Sequence, residues 1–548
     1  MEKIIIYQVF TRLFGNSKPT SVYNGSLQEN GCGKMAGFTN QALQEIKKLG
    51  TTHIWYTGVI AHATQTDYTA YGIPRNHPSI VKGKAGSPYA IRDYYDVDPD
   101  LAVNVNQRMK EFETLIERTH ANRLKVIIDF VPNHVSRQYQ SLAKPRRVKD
   151  LGETDNPNIA FSPDNNFYYI PGQKLEGEID LHNESMGDYY ESPAKATGNN
   201  RFDAYPNRND WYETVKLNYG TDYIHNTGNH FSPIPDTWHK MKDILLFWAG
   251  KGIDGFRCDM AEMVPCEFWG WAIPEVKAKY PNLIFIAEVY NPNEYRNYLF
   301  NGKFDYLYDK VGLYDTLRGV ICGYNSATAI TSCWQSVNDI QDHMLNFLEN
   351  HDEQRIASDF FAGNPFKALP ALIVSACMNT NLMMIYFGQE LGEPGMDEEG
   401  FSGRDGRTTI FDYWSVNSLY RWSNNGRYNT HLLSPKEKEL RKFYSRLLNL
   451  CNQEAALREG AFFDLMYVNQ GGWQMNEHRQ YAFLRKQENE VLLIAVNFDE
   501  TPAQVSINLP AHAFEYLNMP EYESITATNL LDSQKETISF TASKPVGI

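Results

Sequence analysis

Eight short apolar runs, separated by stretches of helical pattern, constrain the fold of this chain more than any other feature. They are Ile4–Phe10, His53–Ile60, Lys125–Val131, Gly252–Cys258, Leu283–Val289, Phe304–Tyr308, Met344–Leu348 and Leu382–Phe387. None alternates apolar and polar residues with a period of two, so each reads as a strand buried on both faces of a parallel sheet. Between them, segments such as Gln41–Leu49, Gln107–Asn122, Trp238–Gly250 and Phe366–Asn379 carry apolar residues at helical spacing. Strand and helix in regular alternation predict an α/β chain closed into a (β/α)8 barrel.

One connection breaks the rhythm. More than a hundred residues separate the third strand, ending near His134, from the fourth, starting near Gly252, where a helix and short loops would suffice. This stretch is rich in turn residues and aromatics (Asp155-Asn156-Pro157-Asn158, Phe167-Tyr168-Tyr169, Asp210-Trp211-Tyr212) and predicts an irregular, strand-poor subdomain over the barrel mouth. After Ser434-Pro435 a polar helix, Lys436–Leu450, leads into strands Tyr481–Lys486, Val491–Phe498, Ala503–Leu509 and Thr537–Thr541, which predict an antiparallel β-sandwich. The expected division is a barrel over 1–134 and 236–452, an inserted subdomain over 135–235, and the sandwich over 453–548.

The balance of 52 basic against 66 acidic residues, a formal charge of −14, argues against nucleic acid or an anionic membrane as partner, because both are held through excess Lys and Arg. No run approaches the ~18 apolar residues of a membrane span, and the apolar stretch after Met1-Glu2-Lys3 is too short for a signal segment. Seven Cys, at 32, 258, 266, 322, 333, 377 and 451, lack metal-type pairing and read as thiols in a reducing compartment, which makes the cytoplasm the expected location.

Four segments close strands of this set: Asp129-Phe130-Val131-Pro132-Asn133-His134, Gly255-Phe256-Arg257-Cys258-Asp259, Ala287-Glu288-Val289 and Asn350-His351-Asp352. In a parallel barrel the C-terminal strand ends open onto one face, so Asp259, Glu288, Asp352, His134, His351 and Arg257 can meet in one pocket. An Arg two residues from an Asp on one face of a strand is costly to bury unless the two are paired or serve a site. Asp129, 130 residues before Asp259, ends a strand of the same set and can converge with them, although its D-x-x-x-N-H motif taken alone reads as a structural Asp with a capping Asn.

Taken together, these segments resemble the four conserved regions of the α-amylase superfamily of retaining α-glucoside hydrolases and transglycosidases. Tyr7-Gln8-Val9-Phe10, Asp93 to Pro99, Lys216-Leu217-Asn218 and Gly388-Gln389-Glu390 extend the resemblance over the chain. It implies Asp259 as nucleophile, Glu288 as general acid and base, and Asp352 as the residue that grips sugar hydroxyls in the transition state. Tyr89 matches the tyrosine that stacks beneath the sugar, and His134 and His351 match histidines that bond the same ring. Arg257 is expected to hold Asp259 ionised, while burial or a neighbouring negative charge raises the pKa of Glu288. The implied substrate is an α-glucan or maltooligosaccharide, cut at α-1,4 links. A transglycosidase is the first alternative, and a catalytically silent glucan-binding protein the second.

Departures from the family pattern bear on metal and specificity. Glu262-Met263 replace a common Lys-His pair, removing a usual calcium contact. Asn133 is left as the only candidate calcium ligand, with a hydrogen bond to loop backbone as its expected role, and no cofactor is expected to be required. Ser87-Pro88 replace the usual His-Gly before Tyr89. Trp211 and Tyr212 are candidate sugar platforms, and Trp269 and Trp271 are expected in the core.

Overall fold

The computed structural model describes residues 2–472 and 474–548. Its centre is a closed barrel of eight parallel strands: β1 Ile5–Phe10, β2 His53–Thr57, β3 Lys125–Phe130, β4 Gly255–Cys258, β5 Ile284–Ala287, β6 Tyr306–Tyr308, β7 Met344–Phe347 and β8 Leu382–Tyr386. Each strand pairs with its sequence neighbour, and β8 closes on β1 through Ile5 opposite Met383. Every residue of β1, β2, β4, β7 and β8 is buried, which is why their sequences show no alternation.

Helices α1 Asn40–Lys48, α2 Arg108–Ala121, α3 Asp236–Ala249, α4 Cys266–Lys279, α5 Asp315–Ile321, α6 Ala329–Ser336, α7 Leu369–Cys377 and α8 Pro435–Gln453 accompany the strands. Local chemistry sets their ends. The Thr39 hydroxyl accepts from the Ala42 N–H to start α1, and Ser434 with Glu437 forms a capping box around Pro435 at the start of α8.

The second predicted strand stops short of Ile60. Gly58 adopts φ +83°, which breaks the extended chain, and Ile60–His62 turns away to pair antiparallel with Ile91–Val97. Between β3 and α3 the chain forms two- and three-residue antiparallel pairings, among them His134–Ser136 with Thr214–Lys216 and Tyr169–Ile170 with Ala194–Lys195. A small core of Ile170, Leu175, Ile179, Ala194 and Ala204 lies inside this segment.

Beyond α8 the antiparallel region consists of three small sheets. Ala461–Asp464, Gln480–Gln487 and Glu490–Asn497 form one, Ser506–Ile507 with Val546–Gly547 the second, and Tyr522–Thr528 with Lys535–Phe540 the third. The predicted strand Ala503–Leu509 shrinks to Ser506–Ile507, because Pro510 ends it and a helix, Ala511–Leu517, follows.

Candidate active site

Arg257 organises the barrel mouth. It lies on β4 in register with Asp129 on β3 and Ile286 on β5, and is 1% exposed. Trp55, Tyr89 and Tyr308 surround its guanidinium, with ring centroids 5.1, 5.5 and 5.5 Å away. Its Nε donates to the Tyr308 hydroxyl at 3.0 Å and its Nη1 to Asp259 at 2.8 Å. Nη1 also lies 3.4 Å from Asp129, and Nη2 sits 2.8 Å from Glu288 Oε2 in an ion pair too bent to be a hydrogen bond. Arg257, expected to hold Asp259 ionised, lies beside both catalytic candidates, because a planar fork in the middle of three strands reaches both neighbours.

Strand ends deliver the carboxylates. The Asp259 N–H donates to the Phe130 carbonyl and the Glu288 N–H to the Cys258 carbonyl, continuing the parallel ladder one residue past β4 and β5. Beyond β7 the Asn350 side chain accepts from the N–H groups of Asp352 and Glu353, a turn that directs Asp352 inward. Asp259, Glu288 and Asp129 are buried, whereas the Asp352 side chain is 34% exposed and is the most open of the four.

Three carboxyls, those of Asp129, Asp259 and Glu288, thus share one guanidinium. At an effective dielectric of about 20, two like charges 4 Å apart repel by about 4 kcal/mol, so crowding carboxyls together opposes their joint ionisation. Burial pushes Asp259 well up, against the pull of Arg257. Asp129 rises to about 6 by burial, and Asp352 to about 7 by burial and the charge of Glu288. Expected opposite environments for Asp259 and Glu288 are therefore not imposed by the arginine, which touches both. What differs is their remaining partners: Glu288 accepts from the Met260 N–H at 2.7 Å and from the Tyr290 hydroxyl at 2.5 Å.

Both histidines hold Tyr89. The Gln8 amide donates to His351 Nδ1 at 2.9 Å, leaving the His351 Nε2–H for the Tyr89 oxygen at 2.6 Å and Asp352 at 3.2 Å. The Tyr89 hydroxyl in turn reaches Asp129 at 3.4 Å, and its ring stacks on His351 with centroids 5.3 Å apart. His134 accepts from Asn133 Nδ2 at 3.1 Å, and its ring bonds the Tyr89 carbonyl. Burial lowers both histidines, His134 to about 3, so both are neutral.

Asp259, Glu288, Asp352, Arg257, Tyr89, His134, His351 and Asn133 all lie in this network. Missed were Gln8, Trp55, Tyr290 and Tyr308. Asp129, by contrast, had a signal: a carboxylate after Val126-Ile127-Ile128, which a barrel must bury. Trp211 packs on His134 with centroids 5.3 Å apart, Trp269 is fully buried, and Trp271 is partly buried against Trp238 at the edge of the core.

The profile of the alpha amylase catalytic domain matches residues 8–460. The chain belongs to the alpha-amylase family. Alpha-amylase 2 of Dictyoglomus thermophilum is 20% identical over 516 residues, 92% of this chain and 71% of that protein. Cyclomaltodextrin glucanotransferase of Bacillus sp. (strain 38-2) is 25% identical over 276 residues, 49% of this chain and 31% of its own. In fold, the chain is similar to the noncanonic maltogenic alpha-amylase AmyB from Thermotoga neapolitana, with a TM-score of 0.62 at 19% identity, covering 100% of this chain and 96% of that one. As a member of this family the protein is an enzyme acting on the glycosidic bonds of α-glucans.

The interdomain calcium implied by the family does not fit the residues present. Asn133 Oδ1 accepts from the Lys216 ammonium, and Asn133 Nδ2 donates to the Gly198 carbonyl at 2.8 Å. Among the described residues no group of three His, Cys, Asp or Glu could hold a metal ion. An ammonium in place of a carboxylate repels a divalent cation where calcium requires 6–8 oxygen ligands.

Proposed function

We propose that this alpha-amylase family protein is a retaining glycoside hydrolase of α-1,4-glucosidic bonds in starch, glycogen or maltooligosaccharides. The observation that carries the reading is the Arg257 fork, which holds Asp259 and Glu288 side by side at the ends of adjacent strands. Retaining enzymes need two carboxyls about 5–5.5 Å apart, one to bond the sugar and one to reach the departing oxygen. Asp259 attacks the anomeric carbon while Glu288 gives its proton to the leaving oxygen. Glu288 then takes a proton from water, which displaces Asp259 and restores both groups.

Asp352, the open carboxylate, grips sugar hydroxyls most strongly in the transition state. Tyr89, anchored by His134 and His351, forms the floor on which the ring stacks. In this reading residues 135–235 form a subdomain walling the cleft and 453–548 a separate C-terminal unit. All seven free thiols suit a reducing cytoplasm.

A product time course tests the reading, with the protein incubated separately with maltoheptaose, pullulan and β-cyclodextrin. Shorter maltooligosaccharides as the only products support hydrolysis. Products longer than the starting chain favour a transglycosidase, the activity named for the Bacillus relative above, and no change in any substrate favours a silent glucan-binding protein.

A further inference from the structure

Lys216 is the cation of the joint between the inserted segment and the barrel. It lies on Thr214–Lys216, directly opposite His134, and is 2% exposed. Its ammonium donates to Asn133 Oδ1 and stands 3.5 Å from the Met263 carbonyl, a charge–dipole contact across to the loop after β4. One amino group from the inserted segment, its pKa lowered by burial to about 7, therefore binds the end of β3 and the turn that follows Asp259.

That turn is strained and is held from several sides. Met260 adopts φ +42° and ψ 44°, a left-handed conformation uncommon for a residue other than glycine. Its N–H donates to Glu288, the Met263 N–H closes back on the Met260 carbonyl at 2.9 Å, and Trp269 Nε1 donates to the Ala261 carbonyl at 3.1 Å. The Tyr298 hydroxyl donates to the carbonyls of Glu262 and Val264 at 3.1 and 2.9 Å. Among these anchors Lys216 is the one from the inserted segment, and it draws on the last residue of the helical turn whose start bonds Glu288.

We propose that Lys216 replaces a metal ion at this joint and acts as a positioning residue for the Met260–Met263 turn, and through it for Glu288. The first half stands on the donor set alone: an amide oxygen, a carbonyl oxygen and an ammonium leave no place for a divalent cation. The second half rests on the reading of Glu288 given above. Removing the ammonium leaves Asn133 Oδ1 buried without a donor and the turn with one anchor fewer.

The test begins on the unmodified chain and needs no turnover. Metal analysis of dialysed protein, with melting in excess EDTA and in millimolar calcium chloride, is expected to give no bound calcium and the same Tm in both. Stoichiometric calcium, or a Tm that falls in EDTA and returns with calcium, overturns the replacement. For the second half, Lys216→Met is expected to melt several degrees lower and to lose about tenfold in kcat with KM held within twofold, assayed well below either Tm. A lower Tm with kcat unchanged would make Lys216 structural only and overturn the positioning role. If the variant does not fold, Lys216→Arg, which keeps the charge but whose larger guanidinium cannot take the same place between the Asn133 and Met263 oxygens, is expected to fold, shift the turn and lose kcat in smaller measure with KM held; wild-type kcat in that protein overturns the role.

Discussion

Two buried charge groups lie at the C-terminal end of the same barrel and differ in stoichiometry. After β7, Glu349 pairs with Arg355, one acid to one base, at 3.0 Å. The Phe387 carbonyl and the Thr408 hydroxyl take further Arg355 donors, and the Ile356 N–H serves the other Glu349 oxygen. Around Arg257, three carboxyls meet one guanidinium. Both arginines are 1% exposed or less, so burial does not separate them. A matched pair is a brace, whereas an excess of acid over base is electrostatically costly and persists where the chemistry needs it.

Substitutions can break this contrast. The largest expected effect is from Asp259→Asn, which keeps the shape and removes the nucleophile: kcat on maltoheptaose falls at least about 10⁴-fold, while Tm does not fall. Next is the pair Arg257→Met and Arg355→Met. Each strands a buried carboxylate and should cost about 3–5 kcal/mol in denaturant unfolding. Only the first should also remove turnover by orders of magnitude when both are assayed under conditions where they are folded, and equal losses would erase the distinction drawn between the two arginines.

Smaller changes sharpen the contrast. Tyr290→Phe deletes one donor to Glu288 without emptying space, so kcat should drop about tenfold, equivalent to about 1.4 kcal/mol, with Tm little changed. The smallest effect concerns Asp352 and stability. Its folded pKa, about 7, lies above its ordinary 3.8, so the folded state binds more protons than the unfolded state between those values. Stability from this group is therefore full at low pH and is lost as pH rises toward 7. Asp352→Asn should raise Tm at pH 8 relative to wild type and leave it nearly unchanged at pH 4. Parallel Tm profiles of the two proteins would show that the carboxylate is not strained.

How much of this could be read from the sequence depends on what buries each element. All eight barrel strands were legible because burial on both faces leaves an uninterrupted apolar run. Tyr522–Thr528 was not, since it is exposed along most of its length and lacks an apolar face. The overrun of β2 traces to Gly58, whose left-handed turn redirects the chain without interrupting the apolar pattern.

At the site, strand-end carboxylates announced themselves by position, and the family resemblance supplied expected roles. Partners across the barrel were invisible, because nothing in spacing says that Tyr290 folds back onto Glu288 or that Gln8 on β1 orients His351 after β7. Lys216 was read only as part of a family motif; that its ammonium lands on Asn133 is a consequence of the register between His134–Ser136 and Thr214–Lys216.

The central claim, that Asp259 bonds the sugar while Glu288 transfers the proton, is tested most directly by trapping the intermediate. Incubation with 5-fluoro-α-D-glucosyl fluoride, followed by intact mass spectrometry and peptide mapping, should show one added fluoroglucosyl group, carried on the peptide containing Asp259 and located on that carboxylate. A label on Glu288 or Asp352, or turnover of the reagent with inverted product and no label, would contradict the account.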